Sequence, residues 1–254
     1  WSVSKARFQE LDQDNRIWWG RDGNSMPSLK RFLHEVKQGR VPQTLWSYKE
    51  VGHTQEGKKE LLRRLDFDSS ESVFDTPKPT RLITQMLRIG TKVNESDLVL
   101  DFFAGSATVG DAVMQLNAED GGNRRYLLAQ LPEQTDAEDY TTIAEMGKAR
   151  LRAAGDAISE TASDSVDLGF KVLKLSSSNV RPWDPSADDI AASLFDTVEN
   201  IKRDRTENDL LHELLLKYGL DLSVPAEVRE VAGKSVHIIG AGALVVCLAD
   251  NMDL

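Results

Sequence analysis

Cysteine is almost missing from this sequence: Cys247 stands alone among 254 residues, so no disulfide can form within the chain. It lies in the apolar run ALVVCLA and reads as a small buried side chain of a reducing, intracellular protein, which places the chain in the cytoplasm. Histidine is also scarce, and the four that occur are scattered without zinc-ligand spacing, so no metal is expected. No apolar run approaches the roughly 20 residues that cross a bilayer, so no membrane span is expected. The opening residues WSVSKARFQELDQDNR lack the apolar core of a signal peptide. Internal repeats and low-complexity tracts are absent as well. Finally, the chain lacks an excess of positive charge. A net charge of −10 argues against a surface that is basic all round and wraps nucleic acid.

That charge is unevenly spread. Residues 1–100 carry 17 Lys and Arg against 14 Asp and Glu, a balance of +3, and the remainder carries −13. The basic residues cluster as Lys30, Arg31, Lys37 and Arg40, then Lys58, Lys59, Arg63 and Arg64. Such clusters suit a duplex-facing patch with salt-dependent affinity, and equally suit solvated helix faces. Hydrophobic and charged contents of 40% and 28% are those of a globular chain with room for one large domain or two modest ones.

Periodicity predicts the elements. RIWW is strand-like, and a helix is expected after Pro27 and Ser28. A short charged helix covers about Glu56 to Leu65, and residues 66–80 read as a linker rich in Ser, Asp and Pro. TRLITQMLRIGT predicts a helix with a buried stripe of Leu82, Ile83, Met86, Leu87 and Ile89. Strand and helix then alternate: DLVLDFF, SATVGDAVMQLNAE, RRYLLAQL, YTTIAEMGKARLRAAGDAI and the strand GFKVLKLS. This order predicts an α/β fold, a parallel sheet with helices on both faces. Beyond SNVRPWDPSADD, a helix opens at the capping pair Thr206 and Asp209 and stops at Gly219, and KSVHIIGAGALVVCLAD reads as a hairpin turning at Gly240 to Gly242.

Ligands of open parallel sheets bind beyond the carboxyl ends of strands. Asp101 to Gly110 occupies such an end: an acid, two aromatics, then small residues leading into a helix. Gly105 removes a side chain so that a ligand can meet the backbone, and Ser106 and Thr108 are candidate caps of the helix. Two cofactors could use this turn. The spacing Gly105-x-Ala107-x-x-Gly110 is a variant of the dinucleotide fingerprint. A pyrophosphate, however, gains nothing from the carboxylate of Asp101. S-adenosylmethionine carries an ammonium and a sulfonium that this carboxylate attracts. Glu133, read as the acid at the end of the second strand, can accept hydrogen bonds from ribose hydroxyls. The acid before the glycine favours S-adenosylmethionine.

These residues carry a resemblance. VLDFFAGSATVGDAVMQLN resembles the cofactor motif of amino-methyltransferases acting on DNA, D-x-F-x-G-S-G-T, and FDTPKPTRLITQML resembles the Lys-Pro motif that precedes it. WWGRDGNSMPSLKRFLHEV, GGNRRYLLAQLPE, YTTIAEMGKARLRAA, SSSNVRPWD and LLHELLLKYGL extend the likeness over nearly the whole chain. Together they resemble the modification subunits of type III restriction-modification systems, which are adenine-N6 DNA methyltransferases. The resemblance implies a Rossmann-like methyltransferase sheet, here partial, with a small α+β module at the C-terminal end. It divides the chain into the end of a target-recognition region (1–70), a cofactor-binding part (71–184) and an interaction module (185–254). It implies cofactor contacts at Lys78, Pro79, Asp101, Phe102, Phe103, Ala104, Gly105, Ser106, Thr108 and Glu133. It also implies double-stranded DNA, a second copy of the chain and a helicase-nuclease restriction subunit as partners.

Two departures stand out. Ala107 replaces the second glycine of the motif, which penalises a positive φ. The catalytic Asp-Pro-Pro-Tyr of the resembled family occurs nowhere, DPSA at 184–187 being the nearest approach. Trp1 in place of an initiating Met fits a chain whose beginning is missing. The expectation is a C-terminal portion that holds cofactor and is inactive by itself. The rivals are a dinucleotide-dependent oxidoreductase and a non-catalytic assembly or DNA-docking module.

Overall fold

A computed structural model describes residues 3–36, 39, 41–65, 67, 76–136, 139–161, 166–181 and 200–249. The chain is mixed α/β, with three small sheets among the described residues, and divides into two compact units, Trp1–Leu168 and Gly169–Leu254. Most of the linker predicted at 66–80, and DPSA at 184–187, lie outside the described residues.

In the first unit, α1 (Lys5–Gln13) is capped by Ser4 and leads to β1 (Ile17–Trp18), which pairs antiparallel with β2 (Ser28–Leu29). The helix expected after Pro27 and Ser28 therefore does not form; among the described residues a 3₁₀ turn, Leu33–Glu35, follows. Long-range bonds outweigh the local pattern here. The Lys30 N–H donates to the Arg16 carbonyl at 2.7 Å, and the Arg16 guanidinium pairs with Glu35 and stacks 4.8 Å above the Phe32 ring. Two short helices follow, α2 (Tyr48–Val51) and α3 (Thr54–Arg64). The His53 ring accepts the Glu56 N–H and so caps α3. Leu61 and Leu65 bury themselves against Met146.

Helix α4 (Thr80–Gly90) starts immediately after Pro79, a residue with no N–H to satisfy. Its first turn is held from outside: the Glu60 carboxylate on α3 accepts from the Thr80 N–H at 2.8 Å and its hydroxyl at 2.7 Å. The stripe of α4 is less buried than its pattern suggests, for Leu87 is enclosed while Met86 and Ile89 stand about half exposed. Strand β3 (Leu98–Asp101) pairs parallel with β4 (Arg125–Leu128), in register Leu98↔Arg125 to Asp101↔Leu128. Between them runs α5 (Thr108–Asp120), and α6 (Ile143–Ser159) follows β4. Leu87, Ala112, Val113 and Leu116 pack on Val99 and Tyr126, which form the covered face of the strand pair.

The expected sheet is only partly present. Its other face is open: Leu98, Leu100 and Leu127 are each more than half exposed. The segment GFKVLKLS forms no strand, although it has the right alternation. Residues 171–176 join no ladder, and Leu175 is 98% exposed. Alternation makes a segment competent for a strand, but a partner edge is needed to make one.

The second unit packs α7 (Glu207–Lys217) on an antiparallel sheet of β5 (Ala226–Val231), β6 (Lys234–Ile239) and β7 (Leu244–Cys247). Thr206 and Asp209 form the expected capping box, and β6 turns into β7 through Gly240–Gly242. Leu211 and Leu215 bury Ile239 and Val246, whereas Cys247 is only half-buried. The buried Asn179 donates to the Asp209 carbonyl at 2.8 Å, and its N–H meets Glu213 at 2.7 Å. With Ser178 and Lys217 also bonded to it, the Glu213 carboxyl is lowered to about 2.

Candidate functional site

The turn from β3 into α5 is built of short bonds. One carboxylate oxygen of Asp101 accepts the Phe103 N–H at 3.0 Å, and the other has no protein partner among the described residues. Ladder-like bonds carry the strand pair onward: Ala129 N–H to the Asp101 carbonyl at 2.8 Å, and Ala104 N–H to the Ala129 carbonyl at 3.1 Å. Phe102 and Phe103 meet edge to face at 5.5 Å and point outward, Phe103 being 84% exposed. Gly105 (φ +53) then donates its N–H to the Gln130 side chain at 2.7 Å. Ala107 is left-handed, φ 60 and ψ 35, and serves as the N-cap of α5 without any side-chain cap.

Beneath the turn lies Arg150 of α6, wholly buried. Its Nε donates to Asp111 at 2.9 Å, its Nη1 to Thr108 at 2.9 Å and Ser106 at 3.3 Å, and its Nη2 to Thr80 at 3.2 Å. One guanidinium thus ties the start of α4, just behind Lys78 and Pro79, to the turn after Asp101. Arg64 and Gln115 complete the shell around Asp111 at 3.3 and 2.6 Å. Burying such a charge is costly unless its donors are matched, and here one carboxylate and three hydroxyls match four of the five N–H groups.

The candidate residues therefore divide by exposure. Asp101, Phe102, Phe103 and the Gly105 backbone line the outer side of the turn, and Lys78 is exposed beside the buried Pro79. Ala104, Ser106 and Thr108 are buried. Ser106 and Thr108 do not cap α5 as expected, because their hydroxyls accept from Arg150 instead. Glu133 is exposed and lies five residues past the end of β4, so it is not the strand-end acid that the sequence suggests. Gln130, two residues past that end, is the residue that reaches back to the turn. Arg150 and Gln130 both escaped the motif reading. Their only sequence signal is a charged or amide residue in an otherwise apolar helix face or strand end. The basic clusters are also partly committed to the fold: Lys30 binds Asn15 at 2.8 Å, and Arg64 binds Asp111.

These features define the class. Residues 3–155, more than half of the chain, match the family model described as DNA methylase. The chain belongs to the DNA methylase family. Its relatives are more particular. It is 35% identical over 178 residues to the type III restriction-modification enzyme StyLTI Mod subunit of Salmonella typhimurium, covering 67% of this chain and 26% of that protein. The EcoPI Mod subunit of Escherichia phage P1 is 35% identical over 179 residues, 68% of this chain and 27% of that one. The EcoP15I Mod subunit of Escherichia coli is 27% identical over 238 residues, 91% of this chain and 34% of that one. The chain thus spans about a quarter to a third of the length of these curated relatives. No helix among the described residues is long and apolar enough to cross a membrane.

Proposed function

We propose that the turn from Asp101 to Thr108 binds S-adenosylmethionine for methylation of adenine N6 in double-stranded DNA. The observation that carries this reading is the free carboxylate oxygen of Asp101 beside a turn whose outer side presents backbone. An anionic oxygen there attracts an ammonium or sulfonium and repels a pyrophosphate. The uncapped first turn of α5 leaves N–H groups for a ligand's oxygens. Phe102 and Phe103 offer exposed rings to a flat base. Lys78, Pro79 and Ala104 are assigned to the same site, Ser106 and Thr108 hold the turn from inside, and Glu133, exposed in the loop before α6, is assigned to the ribose hydroxyls. When bound, S-adenosylmethionine supplies an electrophilic methyl group on sulfur.

The open apolar face of β3 and β4 favours a larger, Rossmann-like sheet with a second covering layer. Asp-Pro-Pro-Tyr is not among these 254 residues, so they account for donor binding and not for activation of the adenine amine. By itself the chain is then inactive. In the functional division proposed here, 1–70 close a target-recognition region, 71–184 hold the cofactor and 185–254 form an interaction module. The proposed partners are DNA, a second copy and a restriction subunit with helicase and nuclease activity, as the resemblance implies, and likeness to Mod subunits of restriction-modification enzymes supports a restriction-modification role.

Calorimetric titration tests the reading. S-adenosylmethionine is expected to bind and NAD is not. Asp101→Asn keeps the bond to Phe103 and is expected to weaken binding about tenfold or more, since a hydrogen bond to a charged group is worth about 1.5–3 kcal/mol. Binding of NAD, or indifference to Asp101→Asn, refutes it.

A further inference from the structure

We infer that Arg150 is a positioning residue: it clamps the strained residue Ala107 from both sides and so presets the turn for its ligand. The inference rests on the cofactor reading above. A left-handed conformation is disfavoured for alanine and persists only where the surroundings enforce it. At Ala107 the enforcement is visible. The residues on either side of it, Ser106 and Thr108, both accept hydrogen bonds from the same nitrogen, Nη1 of Arg150, at 3.3 and 2.9 Å. The clamp is itself anchored, with Nε on Asp111 at 2.9 Å and Nη2 on Thr80 at 3.2 Å.

Helix α6 brings a second fitting element. One turn before Arg150, on the same helix face, stands Gly147. A Cβ there would lie 3.3 Å from the Ala107 methyl and 3.3 Å from the Gly105 carbonyl oxygen. Gly147 gives the room for Ala107, and Arg150 gives the grip. A role limited to filling space would be met as well by an apolar side chain, because well-packed apolar residues replace buried ion pairs at little cost. The fork geometry of the guanidinium is what reaches both hydroxyls at once. Ala107, standing where the resembled motif has glycine, is the residue that makes this clamp necessary.

The test is a mutant cycle on the full chain, read by S-adenosylmethionine affinity in calorimetry and by urea unfolding. Arg150→Lys retains the charge beside Asp111 and loses the fork. It is expected to weaken binding about tenfold, and Thr108→Val about threefold, as loss of charge-assisted hydrogen bonds implies. Ala107→Gly adopts the left-handed turn unaided. Added to either variant, it is expected to restore at least half of the lost affinity on a logarithmic scale. Equal losses with alanine or glycine at 107, or unaltered affinity in both variants, overturn the clamp. If Arg150→Lys does not fold, Thr108→Val with and without Ala107→Gly decides the matter alone. Absence of binding by the unaltered chain refutes the cofactor reading itself, an outcome distinct from binding that ignores Arg150.

Discussion

Gly57 in α3 offers a sharp test of how the Lys-Pro segment is seated. A Cβ built at Gly57 falls onto the Pro77 carbonyl oxygen and comes 2.9 Å from the Lys78 carbonyl carbon and 3.0 Å from its oxygen. These are backbone atoms directly ahead of Pro79 and α4, and they cannot swing aside as a side-chain end can. Helix propensity alone favours Gly57→Ala by about 1 kcal/mol. Against this stand overpacking, about 1–3 kcal/mol, and the two bonds from Thr80 to the Glu60 carboxylate at 2.8 and 2.7 Å. Bonds of that charged kind contribute about 1.5–3 kcal/mol each. If α3 and the segment must part and one of the two bonds is weakened, the net loss is about 2 kcal/mol. At about 2–4 °C per kcal/mol for a unit of this size, Tm falls by about 4–8 °C. Gly90→Ala is the control, because among the described residues nothing beyond its own stretch of helix lies within 4 Å of a Cβ there. It is expected to be neutral or slightly stabilising. Thermal and urea unfolding by circular dichroism read both variants. Equal stability of Gly57→Ala and Gly90→Ala refutes the close approach of α3 to the Lys-Pro backbone.

Two further outcomes follow from single groups. The Tyr126 hydroxyl is buried with no hydrogen-bond partner among the described residues, and burial, with Asp167 nearby, pushes its pKa up to about 12. Tyr126→Phe is therefore expected to keep or raise stability by up to about 1 kcal/mol in urea unfolding, and a clear loss means that the hydroxyl has a partner. In the second unit the Glu213 carboxyl is held at about 2, down from 4.5, first by the Ser178 hydroxyl and then by Lys217 and the Asn179 N–H. A lowered carboxyl stabilises the fold above its unfolded pKa, and that contribution disappears as pH falls from about 4.5 to about 2. Glu213→Gln is expected to lower hydrogen-exchange protection of α7 at pH 5.5 and to make little difference near pH 2; a gap that is constant with pH contradicts the assignment.

What the sequence makes legible is local. Helices α4, α5 and α6, strands β3 and β4, and the Thr206–Asp209 cap all follow from short-range periodicity and capping chemistry. The acid and small residues of the turn stand out because a stripped strand end is rare without a reason. Long-range determinants stay hidden. Ser28 and Leu29 read as helical until the Arg16 carbonyl claims the next N–H, and GFKVLKLS reads as a strand although residues 171–176 join no ladder among the described residues. Ser106 and Thr108 look like caps because nothing nearby in sequence reveals Arg150, more than forty residues later. Glu133 and Gln130 exchange prominence because β4 stops at Leu128, a boundary set by ladder bonds rather than by apolar pattern.

Methyl-donor binding at the turn from Asp101 to Thr108 is the central requirement of the proposed function. Ultraviolet crosslinking of methyl-tritiated S-adenosylmethionine to the full chain, followed by tryptic mapping, asks this directly. The label is expected in the peptide from Val93 to Arg124, displaced by excess unlabelled cofactor and strongly reduced by Asp101→Asn. Displaceable label confined to other peptides, or unchanged by Asp101→Asn, contradicts the account.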